Sequence, residues 1–213
     1  MIILANDGMA QAGIDVLEAN GHTVLTTKVA QEQLANFINE KHVDVLLVRS
    51  ATTARKELID ACPGLRMIGR GGVGMDNIDV DYAKSQGRQV FNTPAASSES
   101  VAELVFAHLS GMLRFLYDAN RMMPLEGETR FNDLKKAYGK GSELRGKTLG
   151  IIGFGRIGRA VAKMGYGLGM TIYAHDPHVT DASFEVHFAD GQSIKTAATL
   201  VDLPTLLSDS DMV

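Results

Sequence analysis

Short apolar runs alternate with amphipathic stretches through the first hundred residues. Ile2 to Ala5 predicts a strand, and Ala10 to Ala19, with Ile14 and Leu17 at helical spacing, predicts a helix stopped by Gly21. His22 to Thr27 reads as a strand, Gln31 to Glu40 as a helix, and Asp44 to Val48 (DVLLV) as a continuous buried strand. Glu57 to Ala61 follows as a short helix ended by Cys62-Pro63-Gly64. Arg66 to Gly69 is again a strand, Val80 to Gln86 a helix, and Gln89 to Asn92 a strand. This rhythm predicts an α/β fold, a parallel sheet covered on both faces.

Thr93 to Ser100 (TPAASSES) breaks the pattern and marks a boundary, which divides the chain into lobes of residues 1–98 and 99–213. Ser100 and Glu103 have the spacing of a capping box. The helix expected after them carries Val101, Leu104, Val105, Leu109, Met112, Leu113 and Leu116 on one side, as a connector between lobes would. From Met122 to Gly146 the chain is polar, with four glycines and no strand pattern, which predicts an extended arm suited to subunit contact. Strand and helix alternation resumes at Thr148, and Met212-Val213 reads as the start of a further strand.

Composition narrows the class. Of 213 residues, 45% are hydrophobic and 22% charged, and 21 basic against 25 acidic residues leave a net charge of −4. With no basic run, neither nucleic acid nor an anionic membrane is expected as a partner. No stretch approaches the ~20 apolar residues of a membrane span. The N-terminus has no basic flank, and the single cysteine, Cys62, fits a reducing compartment. These features read as a soluble, cytoplasmic protein. No metal-ligand cluster, Ser-His-Asp set or cysteine nucleophile is apparent.

Two segments match G-x-G-x-x-G: Gly69-Arg70-Gly71-Gly72-Val73-Gly74 and Gly153-Phe154-Gly155-Arg156-Ile157-Gly158. The second has a dinucleotide-binding context. A strand, Leu149 to Ile152, precedes it, and a helix, Ile157 to Leu168, follows with Ile157, Val161 and Met164 on its packing side. The next strand, Met170 to Ala174, leads to Asp176, 18 residues beyond Gly158. There an acid accepts hydrogen bonds from the ribose hydroxyls, while the glycines admit the pyrophosphate to the helix N-terminus. Asp176 would repel a 2′-phosphate, and Pro177 and His178 offer no strong cation against it, so NAD is expected rather than NADP. The first match has no acid ending the following strand. Its glycines instead suit a loop whose N–H groups face another anion, with Arg70 inside it and Arg49 directly after DVLLV. Two strand-end arginines fit a carboxylate- or phosphate-bearing substrate. The alternative for both is an ordinary surface ion pair.

Five segments in order, Val48-Arg-Ser-Ala-Thr, Gly69-Arg-Gly-Gly-Val-Gly-Met-Asp-Asn-Ile-Asp, Asn92-Thr-Pro, Ser100-Val-Ala-Glu and Gly146 to Gly158, resemble the D-isomer-specific 2-hydroxyacid dehydrogenases. Within that family they are most similar to the D-3-phosphoglycerate dehydrogenases. The resemblance implies a flavodoxin-like substrate-binding lobe and an NAD-binding Rossmann lobe, with NAD in the cleft between them. It also implies a homodimer through a region about 118–147. The substrate carboxylate would meet the Val73 and Gly74 N–H groups, with Val73 also bordering the cofactor. Arg49, Ser50 and Arg70 would line a phosphate-bearing substrate site. Gly153, Gly155, Arg156, Ile157, Gly158 and Asp176 would hold NAD.

The family's catalytic arginine, glutamate and histidine lie downstream of Ser208 to Val213, so the resemblance implies no catalytic residue within this chain and a Rossmann sheet left incomplete. None of His22, His42, His108, His175, His178 and His187 has an acid at a spacing that marks an oriented pair. The implied activity is oxidation of D-3-phosphoglycerate by hydride transfer from C2. A glyoxylate/hydroxypyruvate reductase, another D-2-hydroxyacid dehydrogenase or a non-catalytic NAD(H)-sensing interaction protein are the alternatives.

Overall fold

The DVLLV run is apolar without alternation because it lies in the middle of a sheet with both faces covered. In the computed structural model, which describes all residues from Met1 to Val213, this run is β3 (Val45–Val48). Around it lie β1 (Ile2–Ala5), β2 (Thr23–Leu25), β4 (Met67–Arg70) and β5 (Gln89–Asn92), all parallel, in the order β2-β1-β3-β4-β5. This is the flavodoxin-like order, whose direction of winding reverses between β1 and β3. Helices α1 (Gln11–Ala19), α2 (Leu34–Glu40), α3 (Lys56–Ala61) and α4 (Val80–Ser85) connect the strands. Leu4, Leu34, Ile38, Leu46, Ile59 and Ile68 form the centre of its core, all essentially solvent-free. The first unit comprises Met1–Ser97 and the second Ser98–Val213.

The second unit begins with α5 (Ser98–Leu113) and α6 (Leu116–Tyr138). Helix α5 starts two residues before the expected box, so Ser100 lies inside it and does not cap it. Its buried residues are Ser98, Ala102 and Phe106, and the last two join Val105 and Leu109 against the second core. Leu104 and Met112, expected on the same side, are instead exposed, because the packing stripe runs through Ala102, Val105, Phe106 and Leu109. Phe115, in left-handed conformation at φ 54°, separates the two helices. The expected extended arm is therefore mostly helix: α6 runs through Pro124 and kinks at Arg130 (φ −126°, ψ 23°). Its Leu, Met, Glu, Arg and Lys content favours helix, and one proline removes only one backbone donor.

Strands β6 (Thr148–Ile152), β7 (Thr171–His175) and β10 (Thr199–Leu200) form a parallel sheet in the order β10-β7-β6, with α7 (Arg156–Gly167) crossing from β6 to β7. Met212 forms a parallel bridge with Leu149 on the free side of β6 and its carbonyl accepts the Gly150 N–H at 2.8 Å. Strand order 3-2-1 with a fourth position opening beside strand 1 is the first half of the Rossmann topology. The connection from β7 to β10 is not the helix that continued alternation predicts. It is an antiparallel hairpin of β8 (Ser183–His187) and β9 (Ser193–Ala197). Phe184 anchors it, edge-on to Phe154 and Tyr166. Helix α8 (Leu203–Asp209) follows, capped by Asp202, whose carboxylate accepts the Thr205 N–H at 2.8 Å.

Candidate functional site

In the first unit the chemistry gathers at the carboxyl ends of the strands, where open α/β sheets bind ligands. Arg49 and Ser50 leave β3 as exposed residues, and Arg70 is the last residue of β4, paired in register with Val48 and Asn92. The loop carrying Arg49 is fixed from two sides. Asp7, just after β1, accepts the N–H groups of Arg49 (2.6 Å) and Thr52 (3.1 Å) and the Thr52 hydroxyl (2.6 Å). Burial would raise the Asp7 pKa, but the Thr52 hydroxyl and the two N–H groups outweigh it and hold the carboxyl below its ordinary value. From the other side, the Asn77 amide donates to the carbonyls of Arg49 (2.7 Å) and Thr52 (2.6 Å).

Neither Arg49 nor Arg70 forms an ion pair. The Arg70 guanidinium donates to the Gly74 carbonyl, which curls the glycine loop toward it, and Asn92 donates to the Val73 carbonyl at 2.6 Å. The N–H groups of Val73 and Gly74 have no acceptor within the chain. The loop thus presents two free backbone donors beside two unpaired guanidinium groups, an arrangement that complements an anion.

In the second unit, β6 ends at Ile152 and the chain turns at Gly153, whose φ of +91° favours glycine. Gly155 is the N-cap of α7, with open space where a Cβ would project and no side chain capping the helix. Gly158 packs so closely that a Cβ there would meet the Gly153 carbonyl oxygen and, at 3.2 Å, Ile151 Cγ2. The first turn of α7 contains no acid, so its orphan N–H groups face outward unneutralised. Arg156 and Ile157 are both exposed; Ile157 is not on the packing side, which Val161, Ala162 and Gly165 supply. Asp176 follows β7 directly. Its Oδ1 accepts the His178 N–H and its Oδ2 the Phe154 N–H, each at 2.8 Å, and these bonds hold the carboxyl below its ordinary pKa. The acid is thereby ionised and tied to the glycine turn. These features fit a dinucleotide: a tight turn, an open approach, free helix N–H groups and an oriented carboxylate.

No histidine forms a close pair with an acid; His187 and Glu185 are 3.9 Å apart on the exposed hairpin. His175 Nδ1 lies 3.1 Å from the Val201 carbonyl, a backbone anchor. The Cys62 thiol is buried and its pKa is pushed up by that burial, which disfavours the thiolate. No group of three or more His, Cys, Asp or Glu side chains is arranged to hold a metal ion, and no helix is long and apolar enough to cross a membrane. Reading the residues for chemistry passed over Asp7, Asn77 and Asn92. Asp7 follows β1 and Asn92 ends β5, a strand-end position that could have found them; Asn77 lies in the loop before α4 and carries no such signal.

Residues 2–201 match the sequence profile described as D-isomer specific 2-hydroxyacid dehydrogenase, catalytic domain. The chain is 41% identical over 190 residues to a hydroxypyruvate reductase of Thermotoga maritima, covering 89% of this chain and 56% of that protein. It is also 41% identical over 177 residues to a D-3-phosphoglycerate dehydrogenase of Methanocaldococcus jannaschii, covering 83% of this chain and 32% of that one. Among solved structures, an acyclic imino acid reductase in complex with NADPH and D-Arg aligns with a TM-score of 0.73 and 25% identity, over 100% of this chain and 64% of that one. The parallel sheets, the strand-end loops and this profile match agree: the chain belongs to the D-isomer specific 2-hydroxyacid dehydrogenase family. It spans about half or less of the length of those two curated relatives.

Proposed function

We propose that this chain is the substrate- and NAD-binding part of a D-2-hydroxyacid dehydrogenase that, as the full-length enzyme, oxidises D-3-phosphoglycerate to 3-phosphohydroxypyruvate, the entry to serine synthesis. The observation that carries the reading is the pair of strand-end arginines, Arg49 and Arg70, without ion-pair partners beside the free N–H groups of Val73 and Gly74. The N–H pair suits the substrate carboxylate, and the guanidinium groups suit its phosphate, with Ser50 beside Arg49 as a further hydroxyl donor. In this reading the first unit binds substrate and the second binds the dinucleotide.

Bound NAD supplies the acceptor for the hydride leaving C2. The chain's own part is to hold it. Gly153, Gly155 and Gly158 bring backbone against the pyrophosphate, the N–H groups of Arg156 and Ile157 open α7 toward its charge, and Asp176 accepts from the adenine ribose. The ionised Asp176 disfavours a 2′-phosphate, which supports NAD although the imino acid reductase was solved with NADPH. The exposed apolar side chains of α6, Leu116, Tyr117, Leu125 and Phe131, support a homodimer through this helix. The lone buried Cys62 is consistent with a cytoplasmic setting.

The similarity to a hydroxypyruvate reductase favours a second reading, in which the substrate lacks the phosphate. Arg70→Ala separates the two. Binding of 3-phosphoglycerate is expected to fall about a hundredfold, the loss of one charge-assisted bidentate contact, while binding of D-glycerate falls much less. Equal losses for both ligands would remove the arginine argument and leave the reductase.

A further inference from the structure

The opposite end of the first sheet carries a second cationic feature. Met67 of β4 is paired in register with Gln89 of β5, and the Gln89 N–H donates to the Arg66 carbonyl at 3.0 Å. Arg66 and Arg88 immediately precede that pair, so they stand side by side on adjacent strands. Both line one cavity of about 210 Å³, formed by the Pro63–Met67 and Gly87–Gln89 segments. No acid lines it, and neither arginine has an ion pair, whereas Arg55 is held by Asp79 at 2.8 Å. Like charges on neighbouring strands repel, and no ion pair offsets them here: Asp44, beside Arg66 just before β3, directs its carboxylate to the Ile2 N–H at 2.8 Å. One bond is made, from the Arg88 guanidinium to the Gln86 carbonyl at 3.1 Å, but Arg88 Nε is buried with no acceptor.

We propose that Arg66 and Arg88 form an anion site that takes a phosphoryl group, at the strand end opposite Arg49 and Arg70. Two guanidinium forks match a dianion better than a monocarboxylate, since a phosphoryl group carries about two negative charges at neutral pH and accepts bidentate pairs. The Arg66 and Arg88 guanidinium groups, rather than the buried Arg88 Nε, are the donors a bound group would meet. The cavity's volume is sufficient for inorganic phosphate or the phosphoryl end of a small monoester. Arg66 precedes β4 and Arg70 ends it, so one four-residue strand separates the two anion-binding edges.

The test is titration of the chain with inorganic phosphate, followed residue by residue through backbone amide NMR shifts, with sodium chloride at matched ionic strength as the blank. Saturable shifts at Met67 and Gln89 are expected, weakened about tenfold or more by Arg66→Gln and by Arg88→Gln. Arg49→Gln should leave those shifts intact while reducing any response at Val73 and Gly74, which separates this site from the proposed substrate site. Arg66 is exposed, so its variant decides the matter should Arg88→Gln fail to fold. Shifts confined to Gly71–Gly74, shifts reproduced by chloride, or shifts unaffected by Arg66→Gln would each overturn the proposal.

Discussion

The two glycine segments share one spelling and have different structures. In Gly153–Gly158 the strand stops before the first glycine, the turn uses a positive φ, and the helix begins at once. In Gly69–Gly74 the strand runs on through Arg70, so the first glycine lies inside β4, between Leu47 and Phe91 on the neighbouring strands. None of the glycines in this segment has positive φ, and the next helix waits until Val80. The difference is one of register against the strand end. One segment builds a tight turn into a helix N-terminus, the proposed pyrophosphate site; the other builds an irregular loop whose free N–H groups and arginines lie at the sheet edge.

The strongest way to break this comparison is Gly158→Ala. The added methyl meets the Gly153 carbonyl and cannot be relieved by a side-chain rotation, so the turn itself must open. Overpacking of this kind costs about 1–3 kcal/mol. Dinucleotide binding, measured by NADH fluorescence titration, is expected to fall by about a hundredfold because the approach to the pyrophosphate is what moves. Gly69→Ala is the matching change in the other segment. Its methyl would sit 2.5 Å from the Phe91 ring and 2.7 Å from Leu47 Cδ2, side-chain ends that can move aside, Phe91 being half exposed, so a smaller loss of stability is expected in thermal unfolding. NADH binding should be unchanged. Loss of NADH binding in this variant would mean that the two segments do not have separate roles.

A milder test sharpens the dinucleotide side. Asp176→Asn keeps an acceptor for Phe154 or His178 but removes the charge that disfavours a 2′-phosphate. The ratio of NADP to NAD affinity is expected to rise about tenfold, the scale of one charged contact. An unchanged ratio would leave the NAD assignment without support from this residue.

The legible parts of the sequence were those where one strong local signal decides the outcome. DVLLV, the glycine turn before α7 and the acid after β7 each state a strand, a turn or a strand end by themselves. The α/β class followed from their repetition. Elements decided by weaker or tertiary effects were missed. Helix α6 has few buried residues and contains a proline and a glycine, so its pattern looked like a loop. The face of α5 was misread because the stripe that meets the core runs through Ala102, Val105, Phe106 and Leu109, which leaves Leu104 and Met112 exposed. The β8–β9 hairpin had a usable signal in Asp190-Gly191 between two alternating stretches, a common hairpin turn, but the expected α/β alternation overrode it. At the candidate substrate site the arginines were legible by charge and position. The polar side chains that fix their loop were not, because Asp7, Thr52 and Asn77 come together only through folding.

That fixing network gives the smallest expected effect. Asp7 anchors the Arg49 loop through three hydrogen bonds, and its pKa is lower in the folded protein than in the unfolded chain. Such a group contributes stability that is fully present above its unfolded pKa, about 3.9, and is lost as pH falls through the lower folded value. Asp7→Asn retains an acceptor for the Arg49 and Thr52 N–H groups but removes the charge that strengthens those bonds. At neutral pH the native protein should therefore melt a few degrees above Asp7→Asn, and the two melting temperatures should converge as the pH drops below about 4 and through the lower folded value. A difference that showed no decline as the pH fell below about 4 would show that shape, rather than ionisation, is what Asp7 contributes. The charge-assisted grip on the Arg49 loop would then have no part in distinguishing this edge of the sheet from the dinucleotide turn.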